Sequence, residues 1–488
     1  MSKIRYSTLA VILLVAIIFI AYAVRVFPIP GTDSSSFLPP SLTFGQGRGL
    51  ANPIYYLSSL TDATGTLRYN YYVPFYTWFL GFFVAAVPGI KTLFVVCALL
   101  TIMALLLYRR TILGSGIDGN NKLLTATILL SIPYLATYSL PTLGRPEQLT
   151  APLSLLLYLL YHHRAKMNTW LYNGLLVLIF ALLLTSQITG FYFAFLFFLI
   201  AEFLGAAAPG RSVWVNAVRG IAVLLVSYLI MEASPNGFMA TVQGISRHSQ
   251  VLFARTARSI GLFTYYWVLS PFNFGFLIIF LAGMRYWYLY LRSSLPAVGM
   301  FNKLVIAALH LAIVAGMLKF VLHTSPTVYN ATQYIYVILL ILLLNHHRFS
   351  GSRYNALVLP SLMLTFIGGG LIFLRTFLLF ADNEADGKTY DAAKSKLMEV
   401  ENKYGKCYTS FNLWALYDDP YRVHQLDERY IKPGDIIVLN QAYNALPASI
   451  LSRSEILEDW RTTDVRTLLG IPLTRHPQGY SFVVVRVK

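Results

Sequence analysis

Long apolar runs separated by short basic connections fill roughly the first 380 positions, and a mixed, more polar stretch fills the remainder. Residues 6–24, 123–140, 213–231 and 356–380 are each long enough to cross a ~30 Å hydrocarbon layer as a helix. They have to be helical, because lipid offers no partner to an open backbone N–H or C=O. Placing the Lys and Arg clusters on one side of the membrane orders the spans. Span 1 covers 7–27 and runs outward into a long polar and aromatic loop, 28–90. Within that loop 73–88 is apolar but ends at Pro88-Gly89, and Tyr71, Tyr72, Tyr76 and Trp78 suit a membrane interface. Read as an interfacial helix, it makes 91–108 span 2 and keeps Arg109-Arg110 inside; read as a span, it puts that pair outside. The remaining spans are then 122–140, 148–163, 169–186, 188–204, 213–231, 262–284, 303–322, 328–345 and 355–379. The pattern predicts a polytopic α-helical membrane protein of about eleven transmembrane helices, with the N-terminus inside and the C-terminus outside.

The tail reads differently. Ala393, Leu397, Val400 and Tyr404 recur at helical spacing with Lys and Glu between them. Strand-like segments follow at 407–411, 435–440 (after the Pro433-Gly434 turn) and 482–487. The chain divides into a membrane domain, 1–380, and a small soluble α/β domain, 381–488, on the outer side.

Composition agrees. The 488 residues are 56% hydrophobic and only 12% charged, against about 25% charge in a soluble protein, and the mean hydropathy is +0.59. A net charge of +17 raises the question of nucleic acid. The cations, however, cluster in short loops (Arg109-Arg110, Arg164 and Lys166, Arg285 and Arg292, Arg348 and Arg353), which fits the positive-inside rule and anionic lipid instead. Nucleic acid is not an expected partner; membrane lipid is. The two cysteines, Cys97 and Cys407, make no disulfide framework. Lys3, Arg5 and Ala21-Tyr22-Ala23 around the first apolar run also fit a cleaved signal peptide, although the length of the run favours an uncleaved span. Phosphate-loop, GxGxxG, CxxC, HExxH and Gly-x-Ser-x-Gly motifs are absent, and Gly368-Gly369-Gly370 lies inside a span, where close helix packing accounts for it.

The polar residues of the membrane region gather on the expected outer face. Asp33, the first acid of the chain, follows span 1 in a Gly-Thr-Asp-Ser cluster. At that depth a partly desolvated carboxylate suits a general base, and a turn residue is the plainer reading. Arg145 and Glu147, in Gly144-Arg145-Pro146-Glu147, either pair and cap the next helix or meet a phosphate and a hydroxyl. Arg247, His248, Arg255 and Arg258 sit where the positive-inside rule disfavours cations. A lipid-linked phosphate explains them, as does simple headgroup contact. Lys319, His323 and Arg375 lie near span ends, where long side chains often snorkel. His162-His163 and His346-His347 map to the inner face, and adjacent histidines point apart on a helix; no metal site is supported, divalent or otherwise.

In order and placement these features resemble the membrane-embedded GT-C glycosyltransferases that use polyprenyl-phosphate sugars, the protein mannosyltransferase and aminoarabinose-transferase group. The match comprises Asp33 in a long first loop, Tyr71-Tyr72-Val73-Pro74-Phe75-Tyr76 entering an interfacial helix, Arg109-Arg110, Arg145-Pro146-Glu147 opening span 4, Thr185-Ser186-Gln187-Ile188-Thr189-Gly190 between two spans, and an outer α/β domain. Ser34 stands where the family often has a second acid, one proline replaces two, and Gln187 replaces a Lys. The resemblance implies an inverting transfer at the outer face of a bacterial plasma membrane, from a polyprenyl-phosphate sugar to a hydroxyl on a glycan, lipid or protein. Asp33 would be the base, and Arg145, Glu147, Tyr72 and Tyr76 would contact donor or acceptor. Arg247, His248, Arg255, Arg258 and His323 would hold the lipid phosphate. A transporter would instead show internal repeats and ionisable residues at mid-membrane depth, and a non-catalytic assembly protein would tolerate loss of Asp33.

Overall fold

The computed structural model describes residues 2–31, 34–54, 72–114, 122–139, 143–204, 209–243, 299–323, 352–424, 431–440, 452–461 and 479–488, with a few short pieces between them. Apolar runs form helices where the hydropathy pattern places them: α1 (Ser2–Val24), α4 (Ile90–Gly114), α5 (Lys122–Ser139), α6 (Glu147–His162), α7 (Thr169–Ser186), α8 (Ile188–Leu204), α9 (Pro209–Ala233), α10 (Met300–His323) and α11 (Ser352–Ala385). The long polar loop contributes two shorter ones, α2 (Leu38–Gly45) and α3 (Phe75–Ala86). The expected spans 262–284 and 328–345 lie outside the described residues. Among those described, five helices are long and apolar enough to cross a membrane: Ile4–Val24, Ile90–Gly114, Thr169–Ser186, Val213–Ala233 and Leu362–Ala385. Their outward faces need lipid. Leu13, Leu14 and Ile17 on α1, Val218, Ile221 and Leu225 on α9, and Leu364 and Leu371 on α11 are 54–70% exposed, a pattern that would leave large apolar patches in water.

At 12 residues and 1.5 Å rise per residue, α3 is about 18 Å long, too short to cross. It pairs with α2 through two small positions: a Cβ on Gly45 would meet Val84 at 2.4 Å, and one on Gly81 would meet Phe44 at 2.5 Å. A similar approach joins α5 to α11. Tyr134 packs tilted against Phe366 (ring centroids 5.0 Å apart) and Thr137 Oγ1 donates to the Gly369 carbonyl at 2.9 Å. A Cβ on Gly369 would stand 2.1 Å from the Tyr134 ring, whereas one on Gly370 meets nothing within 4 Å. Gly369→Ala is therefore expected to destabilise the protein by about 1–3 kcal/mol, the usual effect of overpacking. Gly370→Ala should be neutral. Thermal unfolding in detergent compares the two, and equal midpoints would refute this packing.

The tail begins with α12 (Tyr390–Tyr404), capped by the Thr389 side chain on the Ala392 N–H. Ala393, Leu397 and Val400 are buried at the expected helical spacing. Strands β1 (Cys407–Thr409), β2 (Ile436–Asn440), β3 (Ser454–Trp460) and β6 (Phe482–Val487) form a sheet ordered β1-β2-β6-β3, parallel only between β1 and β2; β4 (Thr467–Leu468) and β5 (Ile471–Pro472) pair separately. The first strand is shorter than the expected 407–411. Ser410 N donates to Val438 O at 2.9 Å and its Oγ accepts from Asn440 N at 3.0 Å, after which a 3-10 helix, Phe411–Leu416, turns Leu413, Trp414 and Leu416 into the core. Strand β3 is an addition to the expected set, an acid-rich edge covered by lysines of and near α12. Lys396 and Lys403 both bind Glu458 at 2.9 Å, and their hydrogen bonds hold its carboxyl below the usual range. Lys388 lies 4.2 Å above the Trp460 ring. Charge of this kind on an edge strand discourages further pairing.

Candidate functional site

Segments far apart in sequence meet at the end of the bundle where α1 and α7 finish and α6 begins. After α1 the chain turns through Val26, whose φ of +53° is rare for a β-branched residue. Its carbonyl accepts a 2.7 Å hydrogen bond from Tyr480 of the tail, and burial pushes that phenol well above its ordinary pKa, so it keeps the proton it donates. Residues Ser34–Ser36 make one 3-10 turn. Ser34 Oγ donates to the Leu143 carbonyl, and Ser35 Oγ accepts from Trp414 Nε1 at 2.8 Å. The two residues after Asp33 are thus bonded, one to the approach to α6 and the other to the tail. Asp33 itself lies outside the described residues. Backbone strain of the Val26 kind concentrates at functional sites.

Gly144 turns the chain into α6 at φ +83° and lies so close to Leu38 that a Cβ would stand 2.6 Å away. Arg145 and Glu147, both buried, form a bidentate pair at 3.1 and 2.9 Å. The carboxylate occupies the first turn of α6, where the helix dipole favours it. Gln187, in the break between α7 and α8, donates to Glu147 Oε1 at 2.9 Å and accepts from Thr150 Oγ1 at 3.4 Å. Gln148 Oε1 takes bonds from Gly144 N at 2.9 Å and Tyr76 OH at 3.3 Å. Gln148 Nε2 and Ser186 Oγ, on the residues next in sequence to Glu147 and Gln187, are buried without a hydrogen-bond partner among the described residues.

The tail is fixed over this end by further bonds: Arg48 to Asp419 at 2.9 Å, Arg25 to Glu384 at 3.3 Å and Lys91 to Asp391 at 3.1 Å. Surface pairs of this sort contribute little each; the buried Trp414 and Tyr480 bonds contribute more. Trp414→Phe is expected to release 34–37, with amide exchange there roughly two- to tenfold faster, the equivalent of about 0.5–1.5 kcal/mol for one hydrogen bond. Unchanged exchange in that segment would show that the indole does not hold it.

Of the expected site residues, the structure therefore brings together Arg145 and Glu147, with Gln148 and Gln187 added. Tyr72 packs tilted against Phe37 (centroids 4.8 Å apart). Tyr76 is wholly buried and donates to Gln148 Oε1 at 3.3 Å. His323 ends α10, and Arg247, His248, Arg255 and Arg258 lie outside the described residues. Gln148 and Trp414 carried no sequence signal beyond a polar neighbour of Glu147 and a large aromatic in the tail.

A second charged cluster lies at the opposite end. Glu202 of α8 binds Arg164 at 2.5 Å and Arg219 of α9 at 2.7 Å, and Arg219 also donates to Asn173 of α7 at 2.8 Å and to Asn216 at 3.0 Å. It ties three helices together. The chain matches no protein-family model, no curated protein and no solved structure.

Proposed function

We propose that the chain is a membrane glycosyltransferase of the kind it resembles, moving a sugar with inversion from a polyprenyl-phosphate donor to an acceptor hydroxyl at the outer face of a bacterial plasma membrane. One observation carries this reading. The residues following Asp33, the buried Arg145–Glu147 pair with Gln187, and the tail are tied together at one end of the bundle. The segment that follows the proposed base, a buried charged pair and the tail domain thus share one end of the bundle, which supports a site there. On this reading about eleven helices make up the membrane domain, 1–380, and 381–488 stands outside it.

Asp33 takes the acceptor proton while the oxygen bonds to the anomeric carbon. The bond from that carbon to phosphate oxygen breaks, and the lipid phosphate leaves with the electron pair. Arg247, His248, Arg255, Arg258 and His323 offset its charge. Arg145 and Glu147 orient donor or acceptor, with Tyr72 beside the loop that carries Asp33. Where the family commonly has Lys, Gln187 leaves Arg145 and Glu147 as a neutral pair, so the lipid phosphate depends on the other cations. Base and anion stabilisation contribute about 10²–10⁴ each in rate.

The full chain in lipid nanodiscs, supplied with a panel of polyprenyl-phosphate sugars, should release polyprenyl phosphate and yield product of inverted anomeric configuration. Intact donors throughout the panel, with acceptors of all three classes present, would refute the reading. A transporter is the alternative reading, but the Glu202–Arg219 pair lies toward the opposite end of the bundle rather than at mid-membrane depth, so it supports that reading only as an ionisable pair within apolar helices. Substrate uptake into vesicles, abolished by Glu202→Gln without loss of fold, would select it.

A further inference from the structure

Away from the tail, the ends of α1, α4 and α6 enclose a cavity of about 320 Å³. Arg5 from α1, Arg109 and Arg110 from α4, Tyr158 and His162 from α6 and His163 just after it line the cavity, with no carboxylate among the described lining residues. Among the described residues, Arg5, Arg109 and Arg110 form no ion pair with an acid. Arg109 is held in place by its neighbours: Nε donates to Thr8 Oγ1 at 3.2 Å and an NH2 nitrogen to the Arg5 carbonyl at 3.1 Å. The His162 ring stacks parallel to Tyr158, centroids 6.3 Å apart.

The positive-inside rule accounts for cations on one side of a membrane; it does not account for their convergence on a concavity. Arginines that only snorkel have no need to share a wall. Three guanidinium groups around one space repel one another unless an anion sits between them, and the planar fork of Arg matches phosphate oxygens in pairs. The volume falls at the lower end of the ~300–1,000 Å³ range of small-ligand pockets, which suits one phosphate-bearing group.

We infer that this cavity binds a phosphate anion, carried either by an anionic lipid headgroup or by a free phosphate compound. The site is independent of the proposed sugar transfer and lies at the other end of the bundle.

Two arms of one experiment separate the sources, both with the full chain. In detergent, inorganic pyrophosphate should raise the unfolding temperature if a free phosphate is the ligand. If a lipid is, phosphatidylglycerol should be retained in native mass spectrometry while phosphatidylcholine is not. Arg5→Gln combined with Arg110→Gln should weaken the response at least about tenfold, as loss of charged hydrogen bonds would. Both side chains are exposed, so the fold should survive. Lys166→Gln, a cation at the same end but outside the cavity, should change nothing. No response in either arm, or equal weakening by Lys166→Gln, would overturn the site.

Discussion

Asp33→Asn protein is expected to fold normally and to transfer sugar at a rate reduced by about 10²–10⁴-fold or more, the contribution of a general base. Asparagine keeps the size and polarity of aspartate but has no carboxylate to accept the acceptor's proton. The bonds that hold the following residues, Ser34 to Leu143 and Ser35 to Trp414, do not involve the residue 33 side chain. The unfolding midpoint and the exchange of 34–37 should therefore match wild type, and the loss should fall on kcat. Asp33→Glu, which restores a carboxylate on a longer arm, should recover part of the rate. Wild-type transfer by the Asn variant would remove Asp33 from the chemistry and leave the loop as a structural turn.

Hydropathy made the spans legible because a lipid-facing helix announces itself over about twenty consecutive residues. The expected 169–186 coincides with α7 because real stops flank it. Asn168 caps its start by accepting from Trp170 N at 2.8 Å, and Gln187 leaves helical geometry. Shorter elements were harder to read. α2 opens with Pro39 and Pro40, which the first helical turn accepts, yet its eight residues show too little periodicity in a polar loop. β3 is not among the expected strands, and the lysines that cover it, Lys396 and Lys403, lie about 60 residues earlier in α12. Single charges disappear in a hydropathy average in the same way. Glu202 is isolated in an apolar run, and only the packing of α8 on α9 reveals Arg219 opposite it. At the site, Arg145 and Glu147 stood out because they are two charges, one residue apart, in a short connection. Gln187 stood out only through the resemblance, its bond to Glu147 spanning 40 residues, and Trp414 did not stand out at all, its partner lying 379 residues away.

The Arg145–Glu147 pair separates structural from chemical roles. Glu147→Ala leaves a buried guanidinium without its bidentate partner and removes the acceptor of Gln187. Breaking a buried pair from one side destabilises by about 3–5 kcal/mol, and loss of the first-turn carboxylate adds up to ~1 kcal/mol at the α6 dipole. The expected outcome is a much lower unfolding temperature in detergent. Replacing both partners by apolar residues of similar size, Arg145→Met with Glu147→Leu, removes the unpaired charge and should restore most of the stability, since such swaps are often neutral. A wild-type midpoint for Glu147→Ala would mean that the pair is not buried as described. The double variant then decides the role: folded and active, the pair only holds α6 in place, whereas folded but without sugar transfer, it contacts donor or acceptor. The second result is expected from the proposed role of the pair; Gln148 and Ser186, next in sequence to Glu147 and Gln187, carry a buried Nε2 and Oγ without hydrogen-bond partners among the described residues. Buried donors are rarely left unsatisfied unless a ligand or water completes them.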